Sequence, residues 1–147
     1  MSKTEINSAA TSSASSEFNE IIRGIDDNVL ANAMTDPFSR ALVLHAVFAE
    51  MPHRVIGERI ENVEAVVRWQ IGNPAAIWTV IIENGCCTVH EGIAGSQPTV
   101  TMEIDMVMFL RLIAGQVGGM ALMLSGRLRI KGNLMTARKI EDWFVRS

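Results

Sequence analysis

The chain has 147 residues, of which 48% are hydrophobic and 20% charged, and its formal net charge is −3. That length fits one domain with an adequate core, and the composition is that of a globular rather than a disordered protein. The negative net charge argues against general nucleic-acid binding.

The N-terminal segment and the cysteines bear on where the protein works. Residues 1–16 are rich in Ser, Ala and Thr, which predicts a flexible tail, and they lack the apolar core of a secretory signal. The adjacent Cys86 and Cys87 form neither a disulfide framework nor a metal-ligand pattern. We therefore expect a cytoplasmic protein with reduced thiols, in which residues 17–147 form a single domain.

Two helices are predicted after the tail. A capping serine opens the first, over residues 16–34, where apolar residues recur at helical spacing. Asp36 followed by Pro37 is a strong start signal for the second, which we expect to end at Pro52. His45 falls on this apolar helix, where a packed core histidine is a more ordinary role than a ligand.

Hydrophobicity then alternates every two residues, which is typical of strands. Val66 interrupts the alternation in the first strand, and Asn84-Gly85 predicts a tight hairpin between the second and third. The pattern predicts a meander of four strands, over residues 63–71, 77–83, 86–91 and 99–104.

Residues 106–124 are strongly apolar and follow Asp105, which can cap a helix. Arg111, Gln116 and three glycines interrupt them, which favours two buried helices over a membrane span. The sequence therefore places an apolar helical layer against the sheet.

The last elements are a fifth strand, over residues 127–131, and a terminal helix that Asn133 can cap. The order of elements predicts an α+β fold, with helices on one face of a twisted, mainly antiparallel sheet. The terminal helix is expected to bury one side, made of Leu134, Ala137, Ile140, Trp143 and Phe144.

Charge is uneven along the chain. Residues 125–147 hold six basic and two acidic residues, which gives +4 there and −7 elsewhere. Cations on an edge strand block aggregation between sheets, and we favour that role over a patch that approaches anionic lipid. Membrane contact would then be transient at most.

The motifs resemble the sterol carrier protein-2 family of lipid-binding domains. The most specific stretch is Ser125–Asn133, in which basic and hydrophobic residues alternate between glycines before the terminal helix. The resemblance covers about residues 38–144 and favours a bacterial-type member. It implies a five-stranded sheet, with helices that enclose an apolar tunnel for fatty acyl chains, sterols or other lipids, and it implies no fixed catalytic motif.

Methionine supports an apolar site independently. Six of the nine methionines lie between residues 102 and 135, and Met adapts to irregular apolar partners as well as filling cores. With the resemblance, we expect the ligand to contact Trp69, Trp78, Val80, Met102, Phe109, Leu112, Ile113, Met120 and Met123.

Catalytic and metal-binding patterns are absent from the sequence, so we expect neither an enzyme nor a cofactor. The favoured function is binding and carriage of a fatty acyl, sterol-like or isoprenoid lipid. The alternative is an accessory subunit of an enzyme system with a hydrophobic substrate, its apolar helices buried against a partner or a second copy. A third hypothesis, the weakest, is an enzyme that acts on bound lipid through His90 or Asp105.

Overall fold

A computed structural model of the chain describes residues 17–144, so the predicted tail over residues 1–16 lies outside the described residues. A turn of 3-10 helix, Ile140–Trp143, follows the last α-helix. The helices are α1 (17–24), α2 (Asp27–Ala33), α3 (Pro37–Arg54), α4 (Gly57–Ile60), α5 (Met106–Ile113), α6 (Gly119–Leu124) and α7 (Leu134–Lys139). The strands are β1 (Ala65–Ile71), β2 (Ala76–Glu83), β3 (Cys86–Glu91), β4 (Val100–Ile104) and β5 (Leu128–Gly132).

The N-terminal helical region is two helices, and the single helix expected over residues 16–34 is wrong. Asp26 has an extended backbone conformation, and its side chain accepts a hydrogen bond from the Asn28 amide. That arrangement is an N-cap, which satisfies an amide at the start of a new helix. The capping carboxylate therefore interrupts a run of apolar residues that looks continuous in the sequence.

Helix α3 continues through Pro52, so the expected end at that residue is also wrong. Proline costs a helix one hydrogen bond, but it falls here in the last turn, beside the buried Met51. The chain becomes extended at Val55, which pairs with Phe144 across an isolated β-bridge. Tertiary pairing rather than the proline sets the end of the helix.

The sheet has five strands in the order β3-β2-β1-β4-β5. Every neighbouring pair is antiparallel except β1 and β4, which are parallel. The predicted α+β fold with a five-stranded, mainly antiparallel sheet is confirmed. The expected meander is wrong, because the fourth strand returns to the middle of the sheet, beside β1.

The connection from β3 to β4 packs on the outer face of the sheet. Arg68 Nη2 donates to the Ala94 carbonyl at 3.0 Å, and the Thr79 hydroxyl donates to the Gly92 carbonyl at 2.7 Å. Gly95 packs closest to Ile81 and Val66. The connection explains why Val66 breaks the alternation of β1, since this outward residue also has an apolar neighbour.

An aromatic stack fixes helix α3 to the inner face of the sheet. The rings of Phe48 and Trp78 are parallel, with centroids 4.5 Å apart, and Phe109 of α5 stacks on Phe48 at 5.6 Å. Trp69 contacts Phe109 edge-on at 5.3 Å. Such pairs add to the free energy gained by burying their area, so this stack anchors two helices to two strands.

His45 is not the packed core residue that we expected. Its side chain is 54% exposed, and Nε2 lies 3.2 Å from a carboxylate oxygen of Glu91 on β3. The imidazole meets Trp78 edge-on, with ring centroids 4.9 Å apart. The histidine therefore covers the rim of the aromatic stack.

Both expected caps of the later helices are present. The side chain of Asp105 accepts from the Met108 amide, and that of Asn133 from the Thr136 amide. The terminal helix was expected to bury Leu134 on its apolar side. That expectation is wrong, because Leu134 is 53% exposed. It follows β5, an edge strand of the sheet, where no further layer covers it.

Of the two helices expected to be buried, α5 is, with Phe109 and Leu110 fully buried. The expectation is wrong for α6, which buries only Leu122 and leaves Leu124 80% exposed. Within the described part of the chain, no helix is long and apolar enough to cross a membrane. The two cysteines differ, since Cys86 is exposed and burial raises the pKa of the Cys87 thiol to about 11. Cys87 therefore stays protonated at neutral pH.

We expect Phe48→Ala to lower the free energy of unfolding by about 3–5 kcal/mol, because truncating a buried Phe leaves a cavity. Urea denaturation followed by far-UV circular dichroism measures this change. Phe38→Ala, on the same helix but at a side chain 74% exposed, is the matched control and should change it by less than about 0.5 kcal/mol. Equal losses in the two variants would show that the stack does not anchor α3.

Candidate ligand-binding site

A cavity of about 670 Å³ lies between the inner face of the sheet and the surrounding helices. That volume is within the range of roughly 300–1,000 Å³ typical of small-molecule sites. Most of its wall is apolar. The cavity is therefore the candidate functional site.

The floor of the cavity follows from strand register. Trp69 of β1 pairs with Met102 of β4, which pairs with Ile130 of β5. Paired residues point to the same face of a sheet, so these three side chains form a row across the strands. Val67 and Val80, paired with each other, extend the floor toward β2.

Helices supply the walls. Val47 and Met51 come from α3, one turn apart, and Phe18 comes from α1. The end of α5 and one side of α6 close another side, with the apolar residues Leu112, Ile113, Met120 and Met123. The remaining wall is the terminal helical segment, from Ala137 to Phe144.

Seven of the nine residues expected to contact a ligand line this cavity. They are Trp69, Val80, Met102, Leu112, Ile113, Met120 and Met123. Trp78 and Phe109 do not line it, because both are packed against Phe48 in the aromatic stack. Whether the seven bind a ligand stays a prediction.

The contributions of α1 and α3 to the wall were not predicted from the sequence. Phe18 and Asn19 approach the cavity only because α1 folds back toward α5. The contribution of the fifth strand to the floor could have been predicted from its alternation, because Leu128 and Ile130 fall on the apolar side of the strand and both line the cavity. No local pattern signalled which helix would face them.

Charged side chains also line the cavity. They include Arg54 of α3 and Arg138 of α7, together with Glu50 and Asp142. Neither arginine makes an ion pair with any residue from 17 to 144. The main chain of Asp142 is held in place, since its carbonyl accepts from Arg59 at 2.8 Å.

Glu141 is a further carboxylate of the wall, and it forms a hydrogen bond within the protein. It accepts a hydrogen bond from the Gly119 amide, at the start of α6. Helix α6 has no side-chain cap at its own N-cap residue, Gly118. Glu141 therefore caps α6 from another element and joins two walls of the cavity.

The basic residues in β5 and just before it do not line the cavity. Arg127 Nη2 lies 3.7 Å from a carboxylate oxygen of Asp105, and Lys131 Nζ lies 3.5 Å from one of Glu103. These exposed pairs contribute little to stability. Their position agrees with an edge strand whose charges face solvent, which is the role favoured from the sequence.

Within residues 17–144, no group of three or more His, Cys, Asp or Glu side chains could hold a metal ion. The side chains that line the cavity offer a mainly apolar packing surface with a few charged groups. Such an arrangement can bury a hydrophobic molecule and orient a polar group that it carries.

Comparisons with known proteins agree with this fold. The peroxisomal multifunctional enzyme type 2 of Mus musculus is 32% identical over 101 residues, which are 65% of this chain and 14% of that protein. The chain thus spans about one seventh of the length of this curated relative.

Two solved structures share the fold at low sequence identity. The sec-alkylsulfatase Pisa1 from Pseudomonas sp. superposes with a TM-score of 0.62 at 13% identity, over 69% of this chain and 16% of that one. Palmitated SCP2L2 from Aedes aegypti gives 0.53 at 18%, over 68% and 88%.

The family match covers the region that builds most of the cavity. The model of the SCP-2 sterol transfer family matches residues 47–145, which are more than half of the chain and include all five strands and helices α5 to α7. The chain therefore belongs to the SCP-2 sterol transfer family.

Proposed function

We propose that this domain binds a long-chain lipid, of the fatty acyl, sterol-like or isoprenoid type, in the cavity and carries it without catalysing a reaction. The observation that carries the proposal is a 670 Å³ cavity whose floor and most of whose walls are apolar side chains. Membership of a family of sterol-transfer domains supports it.

Burial of the ligand's hydrocarbon supplies the affinity. Each methylene removed from water contributes about 0.8 kcal/mol, so two further methylenes that fit strengthen binding roughly tenfold. The methionines at positions 102, 120 and 123 adapt to chains of different shape. We therefore expect graded selectivity by length rather than recognition of a single lipid.

Among lipids, a fatty acyl chain is the first to test. The Aedes aegypti relative with this fold is described as palmitated. A single acyl chain would leave one polar group to place, and Arg54 and Arg138 are the cationic residues of the cavity wall that could bind it.

We expect protein purified without detergent to bind palmitate at one molecule per chain. Native mass spectrometry measures the stoichiometry, and displacement of cis-parinaric acid measures affinity. Ile130→Trp fills the floor with a larger ring and should weaken binding at least tenfold. Arg129→Trp is the matched control on the same strand, because its side chain is exposed on the other face and should leave binding unchanged. Failure of every long-chain lipid to bind would contradict the proposal.

We also expect palmitate to bind more tightly than methyl palmitate, by about 1 kcal/mol or more, because guanidinium groups stabilise a carboxylate. The double variant Arg54→Gln, Arg138→Gln should remove the difference and leave the affinity for the ester unchanged. Competition against cis-parinaric acid measures both. Equal affinities for acid and ester in the unmodified protein would show that the arginines do not bind the head group.

A second candidate is an accessory domain that packs against a partner or a second copy. Phe38 and Leu42, one turn apart on α3, are 74% and 61% exposed, and the chain matches only a small part of two larger enzymes. This function predicts a molar mass that rises with concentration in light scattering and falls back to that of one chain in Phe38→Ser, Leu42→Ser. A constant mass without a partner protein would favour the lipid carrier.

A further inference from the structure

Helix α1 and the end of α5 bind each other through two arginines. Arg23 of α1 donates to the carbonyl of Ala114, just after α5, at 3.1 Å from Nε and 2.7 Å from Nη2. Arg111 of α5 donates in return to the carbonyls of Ile22 and Ile25, at the end of α1. The last carbonyls of a helix lack partners within it, so each helix satisfies carbonyls at the end of the other.

Arg111 is buried, at 7% exposure, and two neighbouring side chains fix the orientation of its guanidinium group. The Asp27 carboxylate accepts from Nε at 2.9 Å and from Nη2 at 2.7 Å, and the Gln116 side-chain oxygen accepts from Nη1 at 2.9 Å. Asp27 lies at the start of α2 and is itself largely exposed. It is a positioning residue that aims the guanidinium at the end of α1.

Helix α1 buries few apolar side chains. Only Asn19 and Ile22 of residues 17–24 are buried, Phe18 is partly buried, and Ile21 is exposed. An element with few buried apolar side chains belongs to the low-stability part of a fold. The arginine bonds are therefore expected to contribute to its attachment.

Helix α1 nevertheless covers the cavity. Phe18 and Asn19 belong to the cavity wall. At its far end the helix joins α2 through Gly24, where an added side chain would meet nothing within 4 Å. Beyond this junction, Leu30 of α2 is buried.

The family match begins at residue 47, within α3, so α1 and α2 lie outside the matched region. We propose that α1 is a lid on the cavity, held closed by Arg23, Arg111 and Asp27, and that ligand enters and leaves when it opens. This proposal rests on the proposed function, because it gives the route to the same cavity.

The first test uses the ligand-free 147-residue chain and hydrogen exchange measured by mass spectrometry. Asp27→Asn keeps the shape of the side chain but removes its charge, and should speed exchange across residues 17–24 roughly fivefold, because bonds between charged groups are the stronger ones. Exchange in β1 and β4 should not change. Glu20→Gln is the matched control, an exposed acid of α1 outside the arginine bonds, and should behave like the unmodified chain.

The second test measures cis-parinaric acid binding by stopped-flow fluorescence. Asp27→Asn should raise the association and dissociation rates by a similar factor of roughly five, and Arg23→Gln should do the same. If hydrogen exchange in α1 becomes faster while the association and dissociation rates of the ligand stay unchanged, α1 is not the lid. The ligand would then pass through another part of the cavity wall. Unchanged exchange in both variants would overturn the arginine attachment. Failure of the unmodified chain to bind any long-chain lipid would overturn the proposed function, and the exchange data alone would still decide whether these bonds hold α1.

Discussion

The parallel pairing of β1 with β4 determines both faces of the sheet. To lie parallel to β1, the chain must leave β3, cross the sheet and start β4 from the same end. The crossing segment covers Arg68 and Thr79 on the outer face. The same pairing brings Trp69 and Met102 side by side on the inner face. The parallel pairing therefore accounts both for the covered outer face and for the floor of the cavity.

Helix length explains why the inner face is only partly filled. Helices α6 and α7 have six residues each, which gives each an axis of about 9 Å. Strand β1 has seven residues and extends for about 23 Å. The aromatic stack around Phe48 fills one region of the inner face, and the short helices bridge the rest without reaching its floor. A cavity between sheet and helices follows from these dimensions.

The local elements were predictable from the sequence because their causes are local. Alternation gave the strands, the Asn84-Gly85 pair gave the hairpin, and Asp105 and Asn133 gave two helix starts. The turn itself confirms the reason, since both its residues have positive φ angles, 53° and 73°. The position of β4 was not predictable, because strand pairing depends on contacts between segments distant in sequence.

The candidate site was predictable only in part, because local patterns do not show which segments meet. Apolarity identified seven residues that line the cavity, but it cannot distinguish a residue of the cavity wall from one of the packed core. Trp78 and Phe109 were assigned to the wall, whereas Phe48 of α3 packs between them. Phe18 was missed because its place in the wall depends on bonds between Arg23 and Ala114, 91 positions apart.

The bond between Glu141 and Gly119 makes two distant positions interdependent. A Cβ atom on residue 119 would overlap the carboxylate oxygen of Glu141, so glycine is the residue that admits this contact. Homologous chains should therefore keep glycine and the acid together or replace both in the same lineage. Covariation of the two positions would show that the α6 wall and the C-terminal wall of the cavity evolve together.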